Sequence, residues 1–453
     1  MDLNSIHNVY FIGIGGIGMS GLARYFKFIG KEVAGYDKTP SEITRGLEDL
    51  GIAIHFDDDV EKIPADFKNK ENTLVVYTPA VPKDHSEYQY FIANGFEVQK
   101  RAAVLGLITK DSYCFAVAGT HGKTTTSSIL AHILKETGTS ITAFLGGVSE
   151  NFNSNFLIEG SDYTVVEADE FDRSFLHLSP TVACVTSMDA DHLDIYGDKE
   201  TLEQTFVEFS DKIKPNGKLF VRNGLPIKGI TYGIEDDSDY TIQNITITNS
   251  TYLFDLVTPT ETIVGVTFNK PGKHNLLNAL AALAMATTLG TPLSRLAEAL
   301  ASFKGIKRRF SYQINEENLV YIDDYAHHPT EIDAVYEAVR SAHPNKKIAA
   351  IFQPHLFSRT KDFAPEFSKS LTRFDEIILL DIYPAREKPI EGITSNWLLE
   401  MIENPNKQKV SKENLSTAVL NSDAQVFLTL GAGDIGLEVN TIKKTLSEMS
   451  RSS

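Results

Sequence analysis

The most chemically pointed stretch of this 453-residue chain is a turn in which a lysine follows a glycine and hydroxyls follow the lysine. It comprises Gly119, Thr120, His121, Gly122, Lys123, Thr124 and Thr125, between an apolar run and an amphipathic stretch with helical spacing. An ammonium placed there reaches the outer phosphates of a nucleoside triphosphate, and the Thr124 hydroxyl can ligate Mg²⁺. The full phosphate-loop pattern asks for a further glycine at 117, where the chain has Val117. A chance Gly-Lys-Thr in a surface turn is the alternative, and the position between a strand and a helix argues against it.

A second glycine loop lies near the start. Gly13, Gly15 and Gly18 fit G-x-G-x-x-G, and Asp37 follows at the end of the next apolar run. Glycines let the backbone approach a diphosphate, and a helix N-terminus offers it free N–H groups. Any nucleotide diphosphate satisfies that, NAD(P) among them, so a dehydrogenase is one reading. It leaves Lys123 idle. A transport ATPase explains the central loop and leaves the first without a purpose. An enzyme that uses a nucleoside triphosphate on a substrate that is itself a nucleotide conjugate explains both.

The elements that must hold these loops read as α/β throughout. A strand, a tight turn and a helix start are expected over 8–18, and strands at 31–37 and 73–81, then at 113–119, 163–169 and 181–189, the last two ending in acids. Ligands of such sheets bind at the carboxyl ends of the strands. A helix with a glycine stop fits 278–290. From about 312 a third set of apolar strands with polar endings begins. The expected domains are 1–110, 111–311 and 312–453: a βαβ domain with a dinucleotide-type loop, a central nucleotide-binding α/β domain, and a third α/β block.

Composition bounds the alternatives. There are 43 Lys and Arg against 60 Asp and Glu, a net charge of −17. That disfavours a general nucleic-acid or membrane-surface binder. The two cysteines, Cys114 and Cys184, both in apolar stretches, build neither a disulfide framework nor a zinc site. No signal peptide and no membrane span is read, so a cytoplasmic protein is expected, monomer or homodimer.

The stretches "GIGGIGMSGLA", "AGTHGKTTT", "EADEFDRSFLHLSP", "DADHLDIYG", "PGKHNLLNALAA", "KRRF", "DDYAHHPTE", "FQPHLFSRT" and "LDIYPAREKPI" carry a resemblance over almost the whole chain. The sequence resembles the Mur ligase family, the ATP-dependent enzymes that build the peptide of bacterial peptidoglycan, and within it the alanine-adding type. A ligase that reuses recycled murein peptides is the neighbouring alternative. The resemblance implies three domains: an N-terminal Rossmann-like domain for the UDP substrate, a central P-loop-type ATP-binding domain, and a C-terminal Rossmann-like domain that brings the amino acid. It implies that UDP-N-acetylmuramate is activated by ATP as an acyl phosphate, which L-alanine then attacks, with Mg²⁺ present.

The resemblance also assigns residues. Thr124, Glu167 and His192 would be metal ligands. Glu167 reads equally as a solvated strand-end acid, and His192 as a helix cap or core histidine. Asn275 and Asn278, with His274 nearby, would face the adenine side of ATP, although Asn275 also reads as a helix cap. Arg309 would reach the γ-phosphate and Asp324 the nucleotide, while 307–309 also reads as a solvated basic run. His355 and Arg359 would receive L-alanine and the muramyl carboxylate, and His327 and His328 lie beside them or orient loops. Many members carry a basic residue where this chain has Leu356, which puts more weight on Arg359. Gly15, Gly16, Ile17 and Gly18 would bind the UDP diphosphate, with Asp37 and Thr78 near the uridine or sugar. Because the reacting groups come from different blocks, the third block is expected to close on the second about a hinge near 307–311.

Overall fold

The computed structural model describes residues 3–189, 196–248, 251–385 and 387–452. Among them the strands gather into three sheets. The first holds β1 (Asn8–Ile12), β2 (Glu32–Tyr36), β3 (Ala53–His55), β4 (Thr73–Tyr77) and β5 (Glu97–Lys100), in the order β3-β2-β1-β4-β5 and parallel throughout. Every residue of β1, Asn-Val-Tyr-Phe-Ile, is buried, as expected of a strand covered on both faces. The chain leaves β1 toward β2 and β3 and later returns to its other side as β4. The first glycine loop follows β1 and therefore sits where the winding direction reverses, the usual crevice of such sheets.

The second sheet contains β6 (Tyr113–Ala118), β7 (Ile141–Ser149), β8 (Ser154–Ile158), β9 (Tyr163–Glu167), β10 (Val182–Val185), β11 (Lys218–Arg222), β12 (Ile230–Ile234), β13 (Tyr240–Thr248), β14 (Thr251–Val257) and β15 (Thr262–Phe268). Their order is β15-β14-β13-β12-β11-β10-β6-β9-β7-β8. β6 lies between β10 and β9 and runs parallel to both, so the lysine loop that follows it is flanked by Glu167 at the end of β9 and by the polar residues Thr186 and Ser187 just beyond β10.

The third sheet holds β16 (Ser311–Asn315), β17 (Val320–Asp324), β18 (Ile348–Phe352), β19 (Glu376–Leu379), β20 (Lys407–Lys409) and β21 (Val426–Leu430), ordered β16-β17-β21-β18-β19-β20. All its neighbours are parallel except the antiparallel pair of β16 and β17. The architecture is three-domain α/β, as the sequence implies.

One compact unit runs to residue 243 and takes in 255–264 and 278–303; a second gathers the rest. Within the first unit, the first two sheets share a core. Val9, Phe11, Leu22 and Phe26 belong to the same buried cluster as Phe144, Phe156, Val166, Phe175 and Val185. The Tyr25 and Phe144 rings lie 5.8 Å apart. The Asn155 amide of β8 donates to the carbonyl of Ile17 in the first loop at 2.7 Å.

Candidate active site

The lysine loop is built by backbone conformation and by the end of β10. Gly119 and Gly122 have φ of +132° and +86°, a region that side chains strain to enter. A Cβ on Gly122 would lie 2.5 Å from Asn278 Oδ1, so that amide already lies against the loop. The loop is tied down from one side. The Thr120 hydroxyl meets the Ser187 hydroxyl at 2.9 Å and accepts from the Asp189 N–H at 3.0 Å. His121 N–H donates to Ser187 Oγ at 2.7 Å, and the His121 ring lies 3.5 Å from Asp189. The helix Lys123–Glu136 then starts at Lys123, and its first-turn N–H groups have no intrahelical acceptors.

Lys123 faces an acid that is fully buried. Its Nζ is 2.8 Å and 3.0 Å from the two carboxylate oxygens of Glu170 and donates to the carbonyl of Gly119 at 2.6 Å. Burial works against the ammonium, but Glu170, Asp169 and Glu167 outweigh it and hold the group charged well above the usual lysine range. Glu167, at the end of β9, accepts the Gly146 N–H at 3.0 Å. Thr124 is buried beside Lys123. The site thus presents a cation and hydroxyls ahead of a helix N-terminus, with carboxylates behind: the makings of a triphosphate cradle.

At the first loop, Gly13 has φ +87° and its N–H donates to the Tyr36 carbonyl at 2.8 Å. The Gly15 N–H goes to Asp37 Oδ2 at 2.7 Å, and the other Asp37 oxygen takes the Thr39 N–H at 3.2 Å. Asp37 therefore braces the loop from behind. Gly16 is exposed, and the helix Ile17–Phe28 begins after it. Thr78 packs against Gly13, where a Cβ would lie 3.0 Å from its methyl group.

In the second unit, Asp324 ends β17 and is buried. Its two oxygens accept the N–H groups of Phe310 and Ala326, each at 2.7 Å. Burial raises its carboxyl pKa to about 6, against the pull of Arg309 and those two N–H groups. Arg309 Nη1 is 3.9 Å from Glu331, and the guanidinium stacks over Tyr325. Glu331 also accepts the His327 N–H at 2.9 Å. His328 caps the helix Pro329–Ala342 and packs on Phe363. The His327 and His355 ring centroids are 5.9 Å apart, His355 stacks on Tyr383, and Arg359, itself buried, reaches His355 at 3.4 Å. Leu356 has φ +70° and is buried, so its side chain is a packing group here. Asn275 donates to the Pro271 carbonyl at 2.7 Å, a bond to its own helix start.

Residues 8–113 match the catalytic domain of the Mur ligase family, 117–286 its middle domain, and 308–433 its glutamate ligase domain. A UDP-N-acetylmuramate–L-alanine ligase of Flavobacterium psychrophilum is 65% identical over 99% of this chain and 100% of its own length. The chain belongs to the Mur ligase family. Among solved structures, a UDP-N-acetylmuramate–alanine ligase of Thermotoga maritima matches with a TM-score of 0.83 at 28% identity, covering 98% of this chain and 100% of that one. A murein peptide ligase of Psychrobacter arcticus matches with a TM-score of 0.70 at 23% identity, over 97% and 98% of the two chains, a likeness of fold.

Of the residues that the Mur ligase resemblance singles out, the lysine loop, Glu167 and Asn278 gather in the first unit. Asp324, Arg309, His327, His355 and Arg359 gather in the second. His274 and Asn275 also belong to the second unit, at the start of the helix Lys273–Ala286. His192 lies outside the described residues. Sequence reading missed the buried partner of Lys123, Glu170, although the acidic run after β9 signalled it. It also missed Ser187 and Asp189 behind the loop, Glu331 between Arg309 and His327, and Tyr383 beneath His355.

Proposed function

We infer that this chain is an ATP-dependent ligase that joins L-alanine to UDP-N-acetylmuramate, releasing ADP and phosphate, in peptidoglycan synthesis. The observation that carries it is 65% identity, over essentially both full lengths, to a ligase of that name. A bare carboxylate is a poor electrophile. Its oxygen attacks the γ-phosphorus of ATP, ADP leaves, and the acyl phosphate so formed offers phosphate as a leaving group. The amine of L-alanine attacks the acyl carbon, phosphate departs and the nitrogen loses a proton.

In this reading Lys123 neutralises the outer phosphates, the residues 119–125 hold them through N–H and hydroxyl groups, and Asn278 lines the nucleotide side with His274 and Asn275. Gly15, Gly16, Ile17 and Gly18 hold the UDP diphosphate, with Asp37 and Thr78 shaping that loop. Arg309 and Asp324 serve the nucleotide, and His355 and Arg359 the acceptor and the muramyl carboxylate. Mg²⁺ prefers oxygen ligands and keeps several waters. Thr124 and Glu167 are the oxygen donors that would hold it, and His192, a nitrogen donor, is the further ligand that the family resemblance implies. When bound, Mg²⁺ supplies charge neutralisation between ATP and the substrate carboxylate. No helix among the described residues is long and apolar enough to cross a membrane. We place the reaction in the cytoplasm, where ATP is available, with the enzyme as monomer or homodimer.

Phosphate release should require ATP, UDP-N-acetylmuramate and L-alanine together, tested against each of the twenty amino acids in turn. Faster release with a murein tripeptide than with L-alanine would assign the chain to the recycling ligases instead.

A further inference from the structure

The first loop contains no lysine or arginine between residues 8 and 23, yet its substrate would bring a diphosphate with two negative charges. Arg24, the next cation, lies over Gly46, where a Cβ would be 3.0 Å from its Nη2. A cation does come to the loop from elsewhere in the sequence. A Cβ on Gly18 would lie 2.8 Å from Nη1 of Arg101 and 3.1 Å from its Cζ, so the guanidinium occupies the room that this glycine leaves open. Gly18 is in the first turn of the helix Ile17–Phe28, beside the N–H groups that lack intrahelical acceptors. Arg101 follows β5 and opens the helix Arg101–Lys110. Among the described residues its one ion-pair partner is Asp169, at 3.9 Å, too long for a hydrogen bond and partly open to solvent. Asp169 thus lies near the guanidinium without taking up its donors. Arginine presents a planar fork of donors that matches two phosphate oxygens at once.

We propose that Arg101 binds the diphosphate of the UDP substrate at the first loop. The third glycine of the motif is then needed for the arginine that lies over it. This rests on the proposed function, in which the first loop takes a UDP conjugate.

The test is calorimetric titration of UDP and of ATP into the full-length protein, with KM and kcat for the ligation. Arg101→Met should weaken UDP binding and raise the KM for UDP-N-acetylmuramate by about 10- to 100-fold, the worth of one or two charge-assisted hydrogen bonds. ATP affinity and kcat should stay within threefold. Arg101→Lys should restore part of the loss, since it keeps the charge without the fork. Gly18→Ala, which displaces the guanidinium from the other side, should reproduce the loss of UDP affinity. UDP affinity within twofold of the parent in Arg101→Met would overturn the assignment, as would equal losses for UDP and ATP. A parent that fails to bind UDP would overturn the reading of the first loop itself, and this inference with it.

Discussion

Lys123 and Glu170 form a pair whose removal should be felt in stability as well as in catalysis. The two groups are about 3 Å apart, the Glu170 side chain is 0% exposed and that of Lys123 12%. At an effective dielectric of about 20 their attraction is roughly 5 kcal/mol, most of it offset by the loss of hydration. A single substitution reads mainly the charge left behind. Lys123→Met abandons Glu170 in a buried site and should cost about 3–5 kcal/mol. Glu170→Gln should cost less, about 2 kcal/mol, because Nζ keeps the Gly119 carbonyl and still sees Asp169 and Glu167. The double variant buries neither charge and should recover much of the loss, a coupling of about 2–3 kcal/mol. Urea unfolding of the four proteins at neutral pH measures this. Both Lys123 variants should lose at least about 10²-fold in ligation rate. Additive single effects, within about 0.5 kcal/mol, would refute the argument that the pair is coupled through burial.

Two further outcomes follow from the strand-end acids. The Asp324 carboxyl has a pKa of about 6 in the folded chain against 3.8 unfolded, so the stability it contributes is complete below pH 3.8 and is lost as pH rises through 6. The change is about 3 kcal/mol, and Asp324→Asn should flatten that slope in urea unfolding between pH 4 and 7, even though its curve sits lower throughout; parallel curves would discount the buried carboxyl. Glu167→Gln should move the Mg²⁺ requirement for ligation to much higher concentration, whereas an unchanged titration would favour a strand-end acid that only holds the Gly146 N–H.

What the sequence made legible was local. β1, β6, β9 and β17 announce themselves as continuous apolar runs, and two of them finish in acids. Glycines at 119 and 122 mark a turn because the chain needs positive φ there. Pairings across distance were not legible. Lys123 meets a carboxylate 47 positions away, and nothing in the spacing distinguishes Glu170 from Asp169 or Glu167 as its partner. Asp37 has the position of a ribose-binding acid, but the fold turns both its oxygens onto backbone N–H groups. Asn275 and Asn278 share a motif, yet one bonds to its helix start and the other lies against the lysine loop. Leu356 reads as a missing charge and is, in place, a buried side chain at positive φ. Each of these depends on which neighbour the tertiary fold supplies.

The core shared by the first two sheets limits what protein engineers can take apart. The opening hundred residues look like a portable nucleotide-binding cassette, with their own five-stranded sheet and their own glycine loop. Excised at 110, that cassette would leave Phe26, Tyr25 and Val104 facing water instead of Phe144, Phe156 and Phe175, and its loop would lose the Asn155 clasp on Ile17. A chimera that borrows the cassette from another member must therefore import both sides of the seam together, or redesign it.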